Sequence, residues 1–224
     1  MAERVKRRRY DSTRRQEQAA QTRRAILAAA QRLFERDGYA ATTMAAIAAE
    51  AGVALKTVYL AFETKSGLLR ALWHLLLRGD EADVPIHERP WYREVLAEPD
   101  PERQLRLGAH NARLVKERAA ALLRVISSAA AADDDAAELW ARIEADFYDN
   151  QRAIVQVLHD KGALRDGLDV TRGADIMWTL NHPDLWHLLV GQRGWTPEAW
   201  EEWFADTVCE QLLSGRRSRR AARG

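Results

Sequence analysis

The stretch TTMAAIAAEAGVALKTVYLAFETKSGLLRAL, residues 42–72, decides the fold of this chain. It reads as a helix, a glycine turn, a second short helix and the start of a longer third helix. Thr43 is placed to cap the first helix, because its hydroxyl can accept a hydrogen bond from a free N–H group of the first turn. Gly52 suits the left-handed position just past the end of that helix. The stretch therefore predicts a helix-turn-helix unit.

The second helix of this unit, from about residue 54 to residue 62, has an inner and an outer face. Val58 and Phe62 are four residues apart and are expected to anchor the inner face. The outer face then presents these side chains: Lys56, Thr57, Leu60 and, toward one side, Tyr59. A lysine, a hydroxyl and a phenol suit contacts with phosphates and base edges, and helix-turn-helix units place such a helix in the major groove of DNA.

An alanine-rich helix pair with a glycine turn is also common in ordinary three-helix packing units, so the stretch alone leaves that alternative open. Two neighbouring features favour DNA. A basic segment lies nearby, and Arg23 and Arg24 near the start of the preceding helix could reach the DNA backbone. Thr64 and Lys65 begin the next helix, so free N–H groups and a cation can face one phosphate.

Two sequence patterns in this region carry a family resemblance. GVxxxTVYxxFxxKxxLL, over residues 52–69, resembles the DNA-binding domain of the tetracycline-repressor (TetR) family. AILAAAQRLFERDGY, over residues 25–39, resembles the first helix of that domain. A weaker likeness in the carboxy-terminal half, ADIMWTL followed by LLVGQRGWTP, is to an actinobacterial-type subgroup of these regulators.

The resemblance implies roles for individual residues. It implies phosphate contacts for Thr43, Tyr59 and Lys65, and recognition-helix positions for Lys56, Thr57 and Leu60. This chain departs from the family pattern where Ala54 replaces the usual capping serine and where Leu60-Ala61 replaces a more polar or aromatic pair. Leu55 has two open interpretations, since its spacing fits the core while the family often exposes that position to DNA.

Length and composition are compatible with one large or two small domains, because the chain has 224 residues of which 47% are hydrophobic. The single cysteine, Cys209, cannot form an internal disulfide, which fits a reducing compartment. No run reaches the roughly 18 apolar residues of a membrane span, and no apolar signal core follows the basic start. We therefore expect a cytoplasmic, nucleoid-associated protein without a membrane partner.

Charge is strongly segregated along the chain although the net charge is only +1. Residues 1–72 carry 14 Lys/Arg and 7 Asp/Glu, residues 73–215 carry 15 and 26, and residues 216–224 carry five arginines and no acid. A basic head on an acidic body is what a DNA-facing domain joined to another kind of domain shows.

Breaks in the helical pattern predict an all-α protein of four segments. These are a basic disordered arm (1–14), a helix-turn-helix domain with a connector helix (15–78), a helical ligand-sensing and dimerisation domain (79–215) and an Arg-rich tail (216–224). Within the third segment we expect helices at 102–131, as two helices or one kinked helix, at 135–161, at 170–189 and at 197–214. The acids Asp133, Asp134 and Asp135 suit the start of a helix.

Aromatic side chains are concentrated after residue 90 and indicate a ligand pocket. Pro183 interrupts its helix and forces His182 away from helical geometry, and pockets are mostly apolar with a few placed polar groups. The candidate effector-binding residues are His110, Asn111, Trp140, Phe147, Trp178, His182 and Trp186. Core or interface packing is the alternative for each of them.

The last two helices are the candidate dimer interface, as the family resemblance also implies. Their apolar and aromatic side chains exceed what a small monomer hides easily: Met177, Leu180, Leu185, Leu188, Leu189, Trp200, Trp203, Phe204, Val208 and Leu212. An internal core is the alternative, and some of these residues must serve it.

The function predicted from the sequence is a ligand-responsive transcription regulator, most simply a homodimeric repressor. It would leave a palindromic double-stranded DNA operator when a small apolar or aromatic effector binds. A sequence-tolerant architectural DNA binder is the alternative. The sequence shows no nucleophile–base pair, cofactor motif or metal-ligand spacing, so we do not expect an enzyme.

Overall fold

The computed structural model describes residues 2–78 and 88–214, with side chains from residue 16 onward and without that of residue 78. The described residues are helical apart from turns and one isolated bridge between Leu164 and Leu213. The α-helices are α1 (Ala2–Ala41), α2 (Met44–Glu50), α3 (Leu55–Phe62), α4 (Lys65–Arg78), α5 (Pro90–Ala97), α6 (Pro101–Ala129), α7 (Asp134–Asp160), α8 (Val170–Leu180), α9 (Pro183–Trp186) and α10 (Pro197–Leu212). The predicted all-α class is confirmed.

The first of two compact units comprises Met1–His74 and Arg124–Leu139. Helix α2 packs on both α1 and α3. The buried apolar side chains of α1 to α4 include Ile26, Phe34, Ile47, Val58, Leu68 and Leu69. Gly38, with φ of 80°, interrupts the helical backbone of α1.

The turn between α2 and α3 follows the predicted pattern. The backbone N–H of Ala46 donates to Thr43 Oγ1 at 3.1 Å, so Thr43 caps α2. Gly52 has φ of 67°, the left-handed conformation that glycine adopts without strain. Ala54 precedes α3 and provides no side-chain cap. The helix-turn-helix is therefore present, with its second helix lacking a cap.

The second unit comprises Leu75–Leu123 and Trp140–Gly224. Helix α10 packs on α8 and supplies the largest buried side chains of this unit's core. The core is completed by Leu105 of α6 and Leu158 of α7. Cys209 is buried among these residues.

The helix over residues 102–131 is a single one, Pro101–Ala129, rather than two helices or a kinked helix. Its end is followed by Asp133, whose Oδ1 accepts a hydrogen bond from the N–H of Ala136 at 3.0 Å. That contact caps α7, as the run of acids predicts. A continuous apolar stripe with no internal proline explains why α6 remains one helix.

The predicted helix over 170–189 is wrong in its extent, because α8 ends at Leu180. His182 has an extended backbone, as expected before a proline. Its Nδ1 accepts a hydrogen bond from the N–H of Asp184 at 3.2 Å, so the imidazole caps the new helix α9. A π-helical turn, His187–Gln192, continues from α9.

Three predicted features fall wholly or partly outside the described residues. The Arg-rich tail (216–224) and most of the boundary after α4 (79–87) are outside them. Helix α1 includes residues 2–14, for which the sequence predicts a disordered arm; Arg, Glu, Gln and Ala in this stretch are all helix formers. The side chains of this stretch are not described, so contacts of the arm with DNA remain a prediction.

No single helix within 2–78 and 88–214 is long and apolar enough to cross a membrane; α2 and α3 pass that test only as a pair bent by 112°.

Candidate DNA interface and ligand cavity

The outer face of α3 is exposed, while its inner face is anchored by buried Val58 and Phe62. Leu60 is 76% exposed and Tyr59 48% exposed. Lys56 is exposed beside them and Thr57 is half-buried. Leu55 is 41% exposed, so it lies on the outer side of α3 rather than in the core. We call these five side chains of α3 together the α3 face.

Arg23 of α1 holds the carboxy-terminal end of α3. Its Nη1 donates to the carbonyl of Ala61 at 3.1 Å, and its guanidinium lies 4.3 Å from the ring centroid of Phe62. A cation is favourable at a helix carboxy terminus, where carbonyls lack partners. Sequence analysis suggested only a contact with DNA for Arg23, because 38 residues separate it from Ala61.

Lys65 at the start of α4 contacts the end of α1. Its Nζ donates to the carbonyls of Tyr39 at 2.9 Å and Thr42 at 3.2 Å, and lies 4.0 Å from the ring centroid of Tyr39. Desolvation by burial lowers the pKa of Lys65 from its ordinary value. An ammonium has three N–H donors, so one donor remains for a phosphate. The hydroxyl of Thr43, which accepts the α2 cap, similarly keeps its O–H for donation.

The turn between α6 and α7 is bonded to the helix-turn-helix within the first unit. The phenol of Tyr39 donates to Asp133 Oδ2 at 2.6 Å, and the hydroxyl of Ser66 donates to Asp135 Oδ2 at 2.9 Å. The Tyr39 hydrogen bond is the main cause that lowers the pKa of Asp133. Burial, followed by the same bond, raises the pKa of Tyr39. Two charge-assisted hydrogen bonds therefore fix this turn.

A partly open cavity of about 110 Å³ lies within the second unit. Its lining combines aromatic and aliphatic side chains with a few polar ones, as small-molecule sites do. The contributing helices are α4 through α8, and the lining residues used below are Trp91, Tyr92, Asn111, Lys116, Phe147 and Gln151, with Asn181 directly after α8.

Of the seven candidate effector residues, Asn111 and Phe147 line this cavity and the other five lie outside its lining. His110 contacts Glu201 at 3.2 Å. The Trp178 ring packs on His182 with centroids 5.0 Å apart, and His182 lies 3.7 Å from Glu144. Trp186 is buried against Trp200, also at 5.0 Å. Trp140, on α7, is half-buried.

Two residues at the polar end of the cavity, Lys116 and Gln151, were missed in the sequence. Lys116, Gln151 and Asn181 are all buried, and Lys116 Nζ donates to Asn181 Oδ1. Asn181 Nδ2 in turn donates to Gln151 Oε1 at 3.3 Å. The available signal was spacing, because Lys116 falls at helical intervals among the buried and half-buried residues Ala112 and Ala119.

The candidate interface residues divide between core and surface. Met177, Trp200, Phe204, Val208 and Leu212 are buried within one protomer, where they form its core. Leu188 is 45% exposed. The remaining residues are half-buried: Leu180, Leu185, Leu189 and Trp203.

No group of three His, Cys, Asp or Glu side chains is arranged to hold a metal ion in the described parts of the chain.

Comparison with known proteins agrees with this architecture. Residues 26–72 match the family model of bacterial regulatory proteins, tetR family. This match identifies the amino-terminal segment as similar to the TetR family, and the all-α fold of the described residues is the one shared by the solved structures below. No curated protein matches the sequence.

Solved structures with the same fold cover nearly the whole chain. SmeT, the repressor of the Stenotrophomonas maltophilia multidrug efflux pump SmeDEF, in complex with triclosan has a TM-score of 0.67 and 22% identity, over 87% of this chain and 93% of that one. NalD, the secondary repressor of the Pseudomonas aeruginosa pump MexAB-OprM, has a TM-score of 0.68 and 20% identity, over 88% and 98%. A Saccharomonospora viridis protein described as a transcriptional regulator, in complex with choline, has a TM-score of 0.69 and 18% identity, over 88% and 100%. At these identities the likeness shows the fold.

Proposed function

We propose that this chain is a ligand-responsive repressor that binds a palindromic operator as a homodimer and leaves it when a small molecule occupies the cavity of the second unit. The observation that carries the proposal is the pairing of an exposed α3 face in a TetR-type domain with an apolar cavity in the second unit. A DNA-binding protein that responds to no ligand would need the exposed α3 face but not the cavity.

The α3 face supplies the proposed contacts with bases and phosphates. Lys56, Thr57 and Tyr59 donate hydrogen bonds, and Thr43 and Lys65 hold flanking phosphates through their remaining donors. Leu55 and Leu60 are exposed and apolar, which suits contact with thymine methyl groups. The operator contact would therefore combine few hydrogen bonds with apolar contacts.

A dimer is part of the proposal because one short helix contacts few base pairs. Two-fold symmetry would place two recognition helices about one DNA turn apart, or a multiple of it, on a palindromic site. The exposed Leu188 and the half-buried Leu180, Leu185, Leu189 and Trp203 are the candidate side chains that remain available for the interface.

The proposed effector is supported by the cavity of the second unit and by the small molecules seen with proteins of the same fold. SmeT is a repressor seen with triclosan, the S. viridis protein is seen with choline, and NalD is a repressor. These precedents support repression and small-molecule binding for this chain. The effector must bind the two conformations of the regulator with different affinity, or it shifts nothing.

The experiment is a fluorescence anisotropy titration of the full chain against a DNA fragment from its own promoter region. We expect affinity to fall steeply with salt, by about a thousandfold or more between ~50 and ~200 mM when roughly six or more phosphates are neutralised. A scrambled fragment of equal length should bind much more weakly. Binding that is absent or independent of salt would overturn the proposal, and equal affinity for the scrambled fragment would favour the architectural alternative.

A further inference from the structure

Buried polar side chains are concentrated at one end of the ligand cavity. Lys116 is 6% exposed, and Gln151 and Asn181 are each 5% exposed. They form a chain of hydrogen bonds from the Lys116 ammonium through Asn181 to Gln151. The walls next to them are aromatic: Trp91, Tyr92 and Phe147 line the same cavity. The cavity thus has a cationic end and an apolar, ring-lined body.

The Lys116 ammonium has no carboxylate partner within the described part of the chain. Its contacts are Asn181 Oδ1, the Trp200 ring centroid at 4.8 Å and the Phe147 ring centroid at 5.8 Å. An ammonium has three N–H donors, and one of them is used by Asn181. A buried charge without a counter-charge is costly unless it is paired or hydrogen-bonded. This site therefore favours an incoming acceptor that carries negative charge.

We propose that the cavity binds a small organic acid whose carboxylate pairs with Lys116 and whose aromatic body lies against Trp91, Tyr92 and Phe147. The inference rests on the proposed sensing function and names the ligand class for it. A volume of about 110 Å³ is somewhat smaller than the ~150 Å³ cavity that admits benzene, so the partly open cavity matches a small ligand with no more than one ring. A cationic ligand would bring a like charge to a buried ammonium and is disfavoured.

Proton linkage supports the same assignment. Burial lowers the pKa of Lys116 to about 7, and a bound anion raises the pKa of a neighbouring amine. Burial raises the pKa of Tyr92, which also lines the cavity, to about 12, and its phenol donates to the Asn150 carbonyl at 3.0 Å. Other charged side chains of the surrounding helices pair with one another, among them Glu144 with His182, and Glu201 with His110 and Arg113. Lys116 is accordingly the group that takes up a proton when an anion binds above pH 7.

The test compares three ligands of one shape on the full chain by isothermal titration calorimetry: phenylacetate, phenylacetamide and phenethylamine. We expect phenylacetate to bind at least about tenfold more tightly than the neutral amide, and the cationic amine to bind most weakly. At pH 8, titrations in two buffers of different ionisation enthalpy should show proton uptake with phenylacetate alone.

Two variants and a matched control assign the preference to one side chain. Lys116→Met removes the charge at similar length, and Lys116→Gln removes the charge while keeping an N–H donor for Asn181. Both should abolish the preference for phenylacetate over phenylacetamide. Arg152→Met removes a positive charge from an exposed position next to Gln151 on α7 and should retain the preference. Melting temperatures establish that each variant is folded.

Equal binding of acid and amide by the wild-type protein, no binding of either, or an unchanged preference in both Lys116 variants would overturn the inference. The operator titration described above is run in parallel and separates the two failures. Salt-dependent operator binding without an acid preference leaves the regulator proposal standing and removes the ligand class. An acid preference without operator binding leaves the ligand site standing and removes the regulator.

Discussion

Tyr59 presents a phenol on the α3 face without serving the core, since the side chain is 48% exposed and the helix is anchored by Val58 and Phe62. We expect Tyr59→Ala and Tyr59→Phe to weaken operator binding by on the order of tenfold each, because a hydrogen bond to a charged phosphate is worth about 1.5–3 kcal/mol. Anisotropy titration measures the affinities and calorimetry checks that the melting temperature is unchanged. Full affinity in Tyr59→Phe would assign the contact to the ring instead of the hydroxyl.

A second prediction for a single residue concerns the effect of Lys116 on the free energy of unfolding. Its pKa is lowered to about 7 in the folded chain from an ordinary value of 10.5. Between these two pH values the unfolded chain binds more protons than the folded chain, so the free energy of unfolding rises with pH. The destabilisation caused by charging Lys116 is therefore complete below pH 7 and disappears toward pH 10.5.

Lys116→Met removes that penalty, so its stability relative to the wild type should be greatest near pH 6 and should decline as pH rises toward 10. Urea unfolding at a series of pH values measures the difference. Arg152→Met is the control, because it removes a positive charge from an exposed position instead of a buried one. A difference for Lys116→Met that stays constant with pH would contradict the pKa assignment.

At the scale of elements, the junction of α3 and α4 depends on Gly67. A Cβ at this position would lie 2.5 Å from the carbonyl oxygen of Phe62, which is backbone and cannot move aside easily. Gly67→Ala should therefore destabilise the chain by about 1–3 kcal/mol and displace the start of α4. Gly108→Ala is the matched substitution, since a Cβ there meets only Val95 at 3.8 Å and alanine favours a helix by about 0.5–1 kcal/mol.

Differential scanning calorimetry distinguishes the two glycine variants by sign. The melting temperature should fall in Gly67→Ala and stay level or rise in Gly108→Ala. Because Phe62 anchors α3, the first variant should also lose operator affinity. A higher melting temperature for Gly67→Ala would show that the backbone at this junction adjusts freely.

The elements differ in how far local sequence determines them. The helix-turn-helix was predictable because its signals are local: the Thr43 cap, the left-handed Gly52 and the spacing of Val58 and Phe62 all act within one or two turns. The end of α8 was not placed correctly, although Pro183 was recognised, because the capping imidazole of His182 acts on a helix that the pattern had merged with α8.

The candidate sites likewise combine features set by local sequence with features set by tertiary packing. Exposure of Leu55 follows from the rotation of α3 on its core, which spacing alone left open. The Arg23 contact joins residues 38 apart, and the Lys116–Asn181 pair joins residues 65 apart. Such contacts depend on tertiary packing, so no local pattern predicts them. A lysine inside an apolar stripe is the local sign that its buried ammonium needs a hydrogen-bonding or oppositely charged partner.

At the scale of the whole molecule, two helices connect the ligand cavity with the helix-turn-helix through continuous backbone. Helix α6 carries Asn111 and Lys116, and α7 carries Phe147 and Gln151. Asp133, in the turn between these helices, and Asp135, in the first turn of α7, accept hydrogen bonds from Tyr39 of α1 and Ser66 of α4 within the first unit. A ligand that shifts α6 or α7 thereby has a route to the recognition helix other than the connector α4.

If α6 and α7 carry the signal, changes at their hydrogen bonds to the first unit should alter how strongly the ligand lowers operator affinity, and should alter the operator affinity without ligand much less. Tyr39→Phe combined with Ser66→Ala removes the donors to Asp133 and Asp135 while leaving the α3 face intact. We expect operator affinity without ligand to change by only a few-fold. The loss of operator affinity caused by saturating phenylacetate should shrink by roughly 2–30-fold, since residues along a coupling route modulate it by about 0.5–2 kcal/mol. Anisotropy titrations with and without phenylacetate measure both quantities.

Tyr148→Phe is the matched control, because its phenol donates to Asp175 at 3.1 Å on an exposed part of the second unit. A double variant that responds like the control would exclude this turn as the route, leaving α4 to carry the signal; one that also loses operator affinity would show that the two bonds hold the DNA-binding conformation itself.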